Sequence, residues 1–142
     1  MAEKRYTGSC LCGAVTVTGV VDKPIIRACH CEMCRRHTSS MFMSLETVPG
    51  SQTVEGPAKE YESSDWAKRG FCEECGSTLW YAMKNGAWRN LAAGLFENAA
   101  DSSLKLEFFT DMCPQGYALS GGHQKMTTQE TIAMFTGAGD QE

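Results

Sequence analysis

Gly8-Ser9-Cys10-Leu11-Cys12-Gly13-Ala14-Val15-Thr16-Val17-Thr18 is the stretch on which the fold turns. Its second half alternates valine with threonine, the period of a strand with one face buried. Its first half holds two cysteines one residue apart, followed directly by glycine. A similar arrangement returns about sixty residues later as Cys72-Glu73-Glu74-Cys75-Gly76. Cysteines so close in sequence are poorly placed to bridge one another, but they aim two thiolates at one ion of tetrahedral preference. The glycine after each pair admits positive φ and lets backbone N–H groups turn back towards the sulfurs. Together the two knuckles staple an N-terminal strand to the middle of the chain.

A third group lies between them: Cys29-His30-Cys31-Glu32-Met33-Cys34. Eight cysteines in a short secreted chain would suggest disulfides, but Met1-Ala2-Glu3-Lys4-Arg5-Tyr6 leads into no apolar signal segment, and a reducing cytoplasm keeps such bonds open. Metal is the better account. Four thiolates at about 2.3 Å make a closed structural zinc site, and soft sulfur ligands favour zinc or iron–sulfur over magnesium or calcium. Zinc is the first choice, with Cys10, Cys12, Cys72 and Cys75 as the natural quartet. Cys29, Cys31 and Cys34 have no second knuckle to complete them. A zinc with three protein ligands keeps one position for water, a carbonyl oxygen or a substrate thiolate, which is the arrangement used in catalysis. The opposing reading closes that site with a fourth ligand, drawn from His30, His37, Cys113 or His123.

The bulk properties exclude several classes. A chain of 142 residues suits one domain, spanning 1–142, with one hydrophobic core. The longest apolar stretches, Ala14–Val21 and Leu91–Phe96, are too short to cross a bilayer, and because the N-terminus does not resemble a secretory signal a cytoplasmic protein is expected. A net charge of −4 gives no attraction for nucleic acid. Lys4-Arg5, Arg35-Arg36 and Lys68-Arg69 read as solvated surface pairs.

Short strands dominate the rest. Ile25 to Ala28 and Met41 to Leu45 are apolar runs, and Glu32 to His37 suits one helical turn. Val48 to Gly56 reads as turns, with strands at Lys59 to Ser63 and Trp66 to Phe71. Leu79 to Met83 and Trp88 to Ala93 flank Asn85-Gly86, a hairpin signal. Leu104 to Thr110 is a further strand, and Thr128 to Phe135 a helix with Thr127 or Thr128 as N-cap. The methionines and most aromatics, Trp66, Trp80 and Trp88 included, read as core rather than as a substrate platform. The class is mainly β.

Three blocks carry a resemblance to a known family. They are Gly8 to Val15, Cys29-His30-Cys31-Glu32-Met33-Cys34-Arg35-Arg36 running on to Phe42, and Arg69-Gly70-Phe71-Cys72-Glu73-Glu74-Cys75-Gly76-Ser77. In this order they resemble the glutathione-dependent formaldehyde-activating enzymes, also called the centromere protein V-like domain. The resemblance implies an Mss4-like fold of short antiparallel sheets with zinc-ribbon-like knuckles. It implies two zinc ions: a structural one on Cys10, Cys12, Cys72 and Cys75, and a catalytic one on Cys29, Cys31 and Cys34. The reaction implied joins formaldehyde to glutathione, or reverses that addition, as a carbon–sulfur lyase. The chain departs from the family pattern at Ser39, where many members have glycine, at Glu107, near an expected histidine, and at Tyr117, where tryptophan is common.

An open, thiolate-rich zinc suits that chemistry, because it either captures a thiol as thiolate or polarises an aldehyde oxygen. Three thiolates make zinc a weak Lewis acid, which favours thiolate capture. His30 reads in two ways, as a proton shuttle near neutral pH or as a supporting or surface histidine. Arg35 and Arg36 read either as partners for the carboxylates of a peptide-like thiol or as a solvated helical face. Two other functions compete with the lyase. One is a zinc-stabilised interaction module, which needs a closed second site. The other is a redox enzyme resembling methionine sulfoxide reductases, with Cys113 as the reactive thiol.

Overall fold

The computed structural model describes residues 3–84, 86 and 89–136. Its contacts divide the chain into two compact units, each assembled from separate segments: Met1–Ile26 with Ser44–Ser103, and Arg27–Met43 with Leu104–Glu142. The class is mainly β, with antiparallel sheets and two α-helices among the described residues.

In the first unit, β1 (Lys4–Ser9), β2 (Thr16–Val21) and β5 (Thr53–Glu55) form a three-stranded antiparallel sheet with β2 in the middle. Val15, Val17 and Val21 point inward and are buried, as the valine–threonine alternation requires. Strand β5 lies inside a segment whose sequence reads as turns. It is only three residues long, with Gly50 at φ +82° before it and Gly56 at φ +107° after it. Those glycines announce the turns and hide the strand, which forms through its pairing of Val54 with Val17.

The unit's other strands are β4 (Phe42–Leu45), whose last two residues belong to it, β6 (Ala58–Glu62), β7 (Ala67–Cys72), β8 (Thr78–Met83) and β9 (Arg89–Ala92), in the order β4-β9-β8-β7-β6. Leu91 opposes both Leu45 and Trp80, and Leu45, Leu79 and Leu91 are wholly buried. Trp80 is core, with its indole N–H donating to Glu60 at 2.9 Å and the Arg89 guanidinium 4.6 Å from its ring. Gly70 faces it across the pair: a Cβ there would fall 2.2 Å from Trp80 Cε2. The β8–β9 pairing follows the hairpin expectation, although Asn85, Ala87 and Trp88 lie outside the described residues. Not every large apolar residue is core: Tyr61, Trp66, Met83, Met112, Met134 and Phe135 are exposed.

Nothing in the sequence announces the turn Asn98–Asp101, four consecutive non-glycine residues with φ between +50° and +58°. L-residues rarely adopt this conformation in succession. Asp101 fastens it, accepting from the Asn98 amide at 2.9 Å and the Tyr6 hydroxyl at 3.1 Å.

The second unit orders its strands β11-β10-β3, from β3 (Ile25–Cys29), whose last three residues belong to it, β10 (Ser103–Phe108), which belongs to it from Leu104 on, and β11 (Gln124–Lys125), with β10 and β11 parallel. Helix α1 (Glu32–Thr38) starts inside the cysteine cluster, with Cys31 as its N-cap and Cys34 within it. Helix α2 (Thr128–Thr136) begins with a reciprocal cap, in which Thr127 Oγ1 accepts from the Glu130 N–H and Glu130 Oε1 accepts from the Thr127 N–H. Buried Thr131 ties the helix to β10's end by accepting from the Phe109 N–H at 3.2 Å.

Candidate metal centres

The quartet expected from spacing assembles within the first unit. The sulfurs of Cys10, Cys12, Cys72 and Cys75 all lie within 4.8 Å of one another. Both knuckles close alike: the Gly13 N–H donates to the Cys10 carbonyl at 3.1 Å, and the Gly76 N–H to the Cys72 carbonyl at 2.8 Å. The two glycines sit at φ +82° and +79°, where any side chain would be strained. Backbone donors then converge on sulfur, Val15 N–H on Cys10 at 3.3 Å and Cys75 N–H on Cys72 at 3.4 Å.

Sulfur spacing tests the fit to an ion. Cys10 and Cys12 Sγ are 3.6 Å apart, and Cys12 and Cys72 Sγ 3.8 Å. Two ligands about 2.3 Å from a tetrahedral zinc stand roughly 3.8 Å apart, so these contacts suit zinc and are far too long for disulfides. The Ser77 hydroxyl and backbone hold the Cys75 thiol down at about 5. Against the pull of the Ala14 N–H, partial desolvation and the neighbouring thiols push Cys12 up to about 12. Such crowded sulfurs ionise together only when a cation shares them.

In the second unit Cys29 ends β3, Cys31 caps α1 and Cys34 occupies its first turn. The Cys34 N–H donates to the Cys31 sulfur at 3.4 Å, so the helix start itself folds the thiols together. All three sulfurs lie within 4.8 Å of one another. Hydrogen bonding with Cys31 and Cys34, together with burial, pushes the Cys29 thiol far above its ordinary range. A dication relieves that crowding, and the all-sulfur donor set suits zinc. Among the described residues the group stops at three: neither His30, His37, Cys113 nor His123 joins it.

His30 lies elsewhere in the same turn. It is 1% exposed, and its Nε2 lies 2.6 Å from Glu107 Oε2. The other carboxylate oxygen lies 2.5 Å from His123 Nε2. Burial opposes ionisation of Glu107, but the His123 and His30 N–H donors outweigh it and hold its pKa below the ordinary value. Cys113 is pushed up by burial and by the Glu107 charge. Arg36 pairs with Glu32 on an exposed helical face at 3.2 Å. The sequence offers His123 only as a distant fourth ligand and marks Glu107 only as a departure from the family pattern. The available signal was a lone carboxylate in the apolar run Leu104-Lys105-Leu106-Glu107-Phe108-Phe109.

Ser39 explains one departure. It ends α1 at φ +80°, donating its N–H to the Arg35 carbonyl at 2.7 Å, and glycine suits that left-handed cap best.

The model of the glutathione-dependent formaldehyde-activating enzymes matches residues 5–112, which include all seven clustered cysteines. The chain belongs to this family. As a formaldehyde-activating-enzyme family member it is 31% identical over 132 residues to an uncharacterised lyase of Schizosaccharomyces pombe, covering 90% of this chain and 95% of the relative. A crystal structure of a Rhodobacter sphaeroides protein shares the fold with a TM-score of 0.54 at 18% identity, covering 85% of this chain and 99% of the other. No helix among the described residues is long and apolar enough to cross a membrane. His123 lies beyond the matched segment, whereas Glu107 lies within it.

Proposed function

We propose that this family member is a zinc-dependent carbon–sulfur lyase that forms or cleaves the adduct of a small thiol such as glutathione with a small aldehyde such as formaldehyde, in the cytoplasm. The observation that carries the reading is the asymmetry between the clusters: four sulfurs gather in one and three in the other. The family description supplies the substrate class, and the fission-yeast relative's name supplies the reaction class. On this reading Cys10, Cys12, Cys72 and Cys75 hold a structural zinc, and Cys29, Cys31 and Cys34 hold a catalytic one.

Zinc in the trio would stabilise a thiolate at neutral pH. In the forward direction a sulfur–carbon bond forms, the carbonyl π-pair moves to oxygen, and the thiol proton ends on the new hydroxyl. Nothing is oxidised or reduced. His30 is the residue assigned to that proton, with Nδ1 as the acting atom, because Nε2 is committed to Glu107 and Nδ1 has no hydrogen-bond partner among the described residues. The raised Cys113 thiol counts against the redox reading, since a reactive cysteine needs a lowered pKa.

Native mass spectrometry with a panel of thiols and aldehydes tests the proposal. It expects two zinc ions per chain and adduct formation above the uncatalysed rate. Background rates for every pair would overturn it.

A further inference from the structure

The His30–Glu107–His123 cluster is unexplained by metal ligation and is more deeply buried than a surface ion pair. Glu107 is 4% exposed, and its two flanking side chains are 1% and 3% exposed. Its three members come from different places: the turn between Cys29 and Cys31, strand β10, and the residue before β11. The main chain reinforces the arrangement, because the His30 N–H donates to the Phe108 carbonyl at 3.1 Å, next to Glu107.

Hydrogen-bond chemistry fixes the tautomers. An ionised carboxylate only accepts, so each Nε2 facing Glu107 carries a proton. Both oxygens are used, one by each ring. His30 therefore carries a proton on Nε2, and Nδ1 is the nitrogen that Glu107 does not engage, buried and with no hydrogen-bond partner among the described residues. Buried carboxylates are costly unless paired, and here the pairing sets the orientation of a ring between two clustered cysteines.

We infer that Glu107 and His123 are positioning residues: the carboxylate, clamped by His123, fixes the ring and tautomer of His30 and so holds the Cys29–Cys31 turn in its sulfur-gathering shape. This deepens the lyase reading and rests on it only for its effect on turnover. Carboxylates bonded directly to a metal-ligating histidine are worth about tenfold to a hundredfold in metal affinity, which bounds the effect of Glu107 acting on the sulfurs through the turn. The device is particular to residue pairs that can donate and accept in this order. Glu107→Gln offers one acceptor and one donor group, so one of the two rings must turn an Nε2 lone pair towards it and move its proton to Nδ1. His123→Gln keeps an N–H for Glu107, whereas His123→Ala leaves one carboxylate oxygen bare.

The test uses the zinc-loaded full chain. Long-range proton–nitrogen correlations of labelled histidine are expected to show Nε2–H at both His30 and His123, with one ring converted to Nδ1–H in Glu107→Gln. Chelator titration is expected to strip the trio's zinc from Glu107→Gln and His123→Ala about tenfold to a hundredfold more readily, leave the quartet's zinc in place, and find His123→Gln close to the unsubstituted protein. With glutathione and formaldehyde, kcat should fall in Glu107→Gln while KM stays within about twofold. An Nδ1–H tautomer at His30 in the unsubstituted protein, or unaltered tautomers and zinc retention in Glu107→Gln, would overturn the inference. Absence of turnover in the unsubstituted protein would sink the lyase reading alone, because tautomers and zinc retention decide the positioning role without it.

Discussion

The Ser77 hydroxyl lies 3.1 Å from the Cys75 sulfur. It also accepts from the Leu11 N–H at 3.0 Å, so one side chain joins knuckles about sixty residues apart in sequence. Its effect on Cys75 has a definite sign. A thiol held at about 5 instead of 9.0 stays ionised as the pH falls towards 5, so fewer protons compete with the ion. The contribution is complete above about pH 9, where a free thiol is also ionised, and is lost as pH falls through 5. Ser77→Ala should therefore shift the acid-release midpoint of the quartet's zinc to higher pH, read with a zinc-sensitive dye. An unmoved midpoint would show that the hydroxyl is not what lowers the thiol.

Removing metal should separate the two clusters. The quartet joins segments distant in sequence, so its loss removes the staple and should unfold the first unit. The trio is local, spanning Cys29 to Cys34, so its loss should mainly abolish turnover. Stepwise chelation followed by circular dichroism checks both statements. Equal secondary structure before and after complete demetallation would contradict the first.

Ser39→Gly should stabilise the protein by about 1 kcal/mol, because serine pays the left-handed penalty at φ +80° and glycine does not. The gain in the unfolded chain's entropy subtracts part of this. A thermal midpoint raised by a few degrees is the expected result.

Gly70→Ala should destabilise by about 1–3 kcal/mol through overpacking, since the new methyl meets the buried Trp80 ring instead of open space. The ring's bond to Glu60 strains with it. Urea unfolding followed by tryptophan fluorescence measures the loss.

Cys113→Ser should leave lyase turnover within about twofold, because that sulfur lies outside both clusters and donates to the Tyr117 carbonyl at 3.4 Å, a bond a hydroxyl can also make. A large loss would revive the redox alternative.

The strongest local signals survived into the structure. Cysteine spacing identified both clusters, since the metal-ligand pattern is carried by a few residues whose chemistry does not depend on the rest of the fold. Valine–threonine alternation identified β2, and Thr127, one of the two N-caps expected for α2, is the one that accepts from the Glu130 N–H. What sequence could not carry was partnership over distance. Strand β5 exists only because β2 lies beside it, and glycines at both ends disguised it. Glu107 stands out in the sequence only as a departure from the family pattern, and the two histidines on its oxygens, His30 and His123, are distant in the chain. The left-handed turn at Asn98–Asp101 uses ordinary residues held by Tyr6, more than ninety positions away.

The order in which the sulfurs leave the ribosome follows from the quartet's wide spacing. Cys10 and Cys12 emerge first, then Cys29, Cys31 and Cys34, and only much later Cys72 and Cys75. An ion arriving during synthesis meets five thiols drawn from two different clusters before the four of the quartet coexist. On the two-zinc reading, correct maturation would depend on late delivery of the ion or on ready exchange out of that premature nest, which would make the timing of metal supply a determinant of how much of the newly made protein becomes usable.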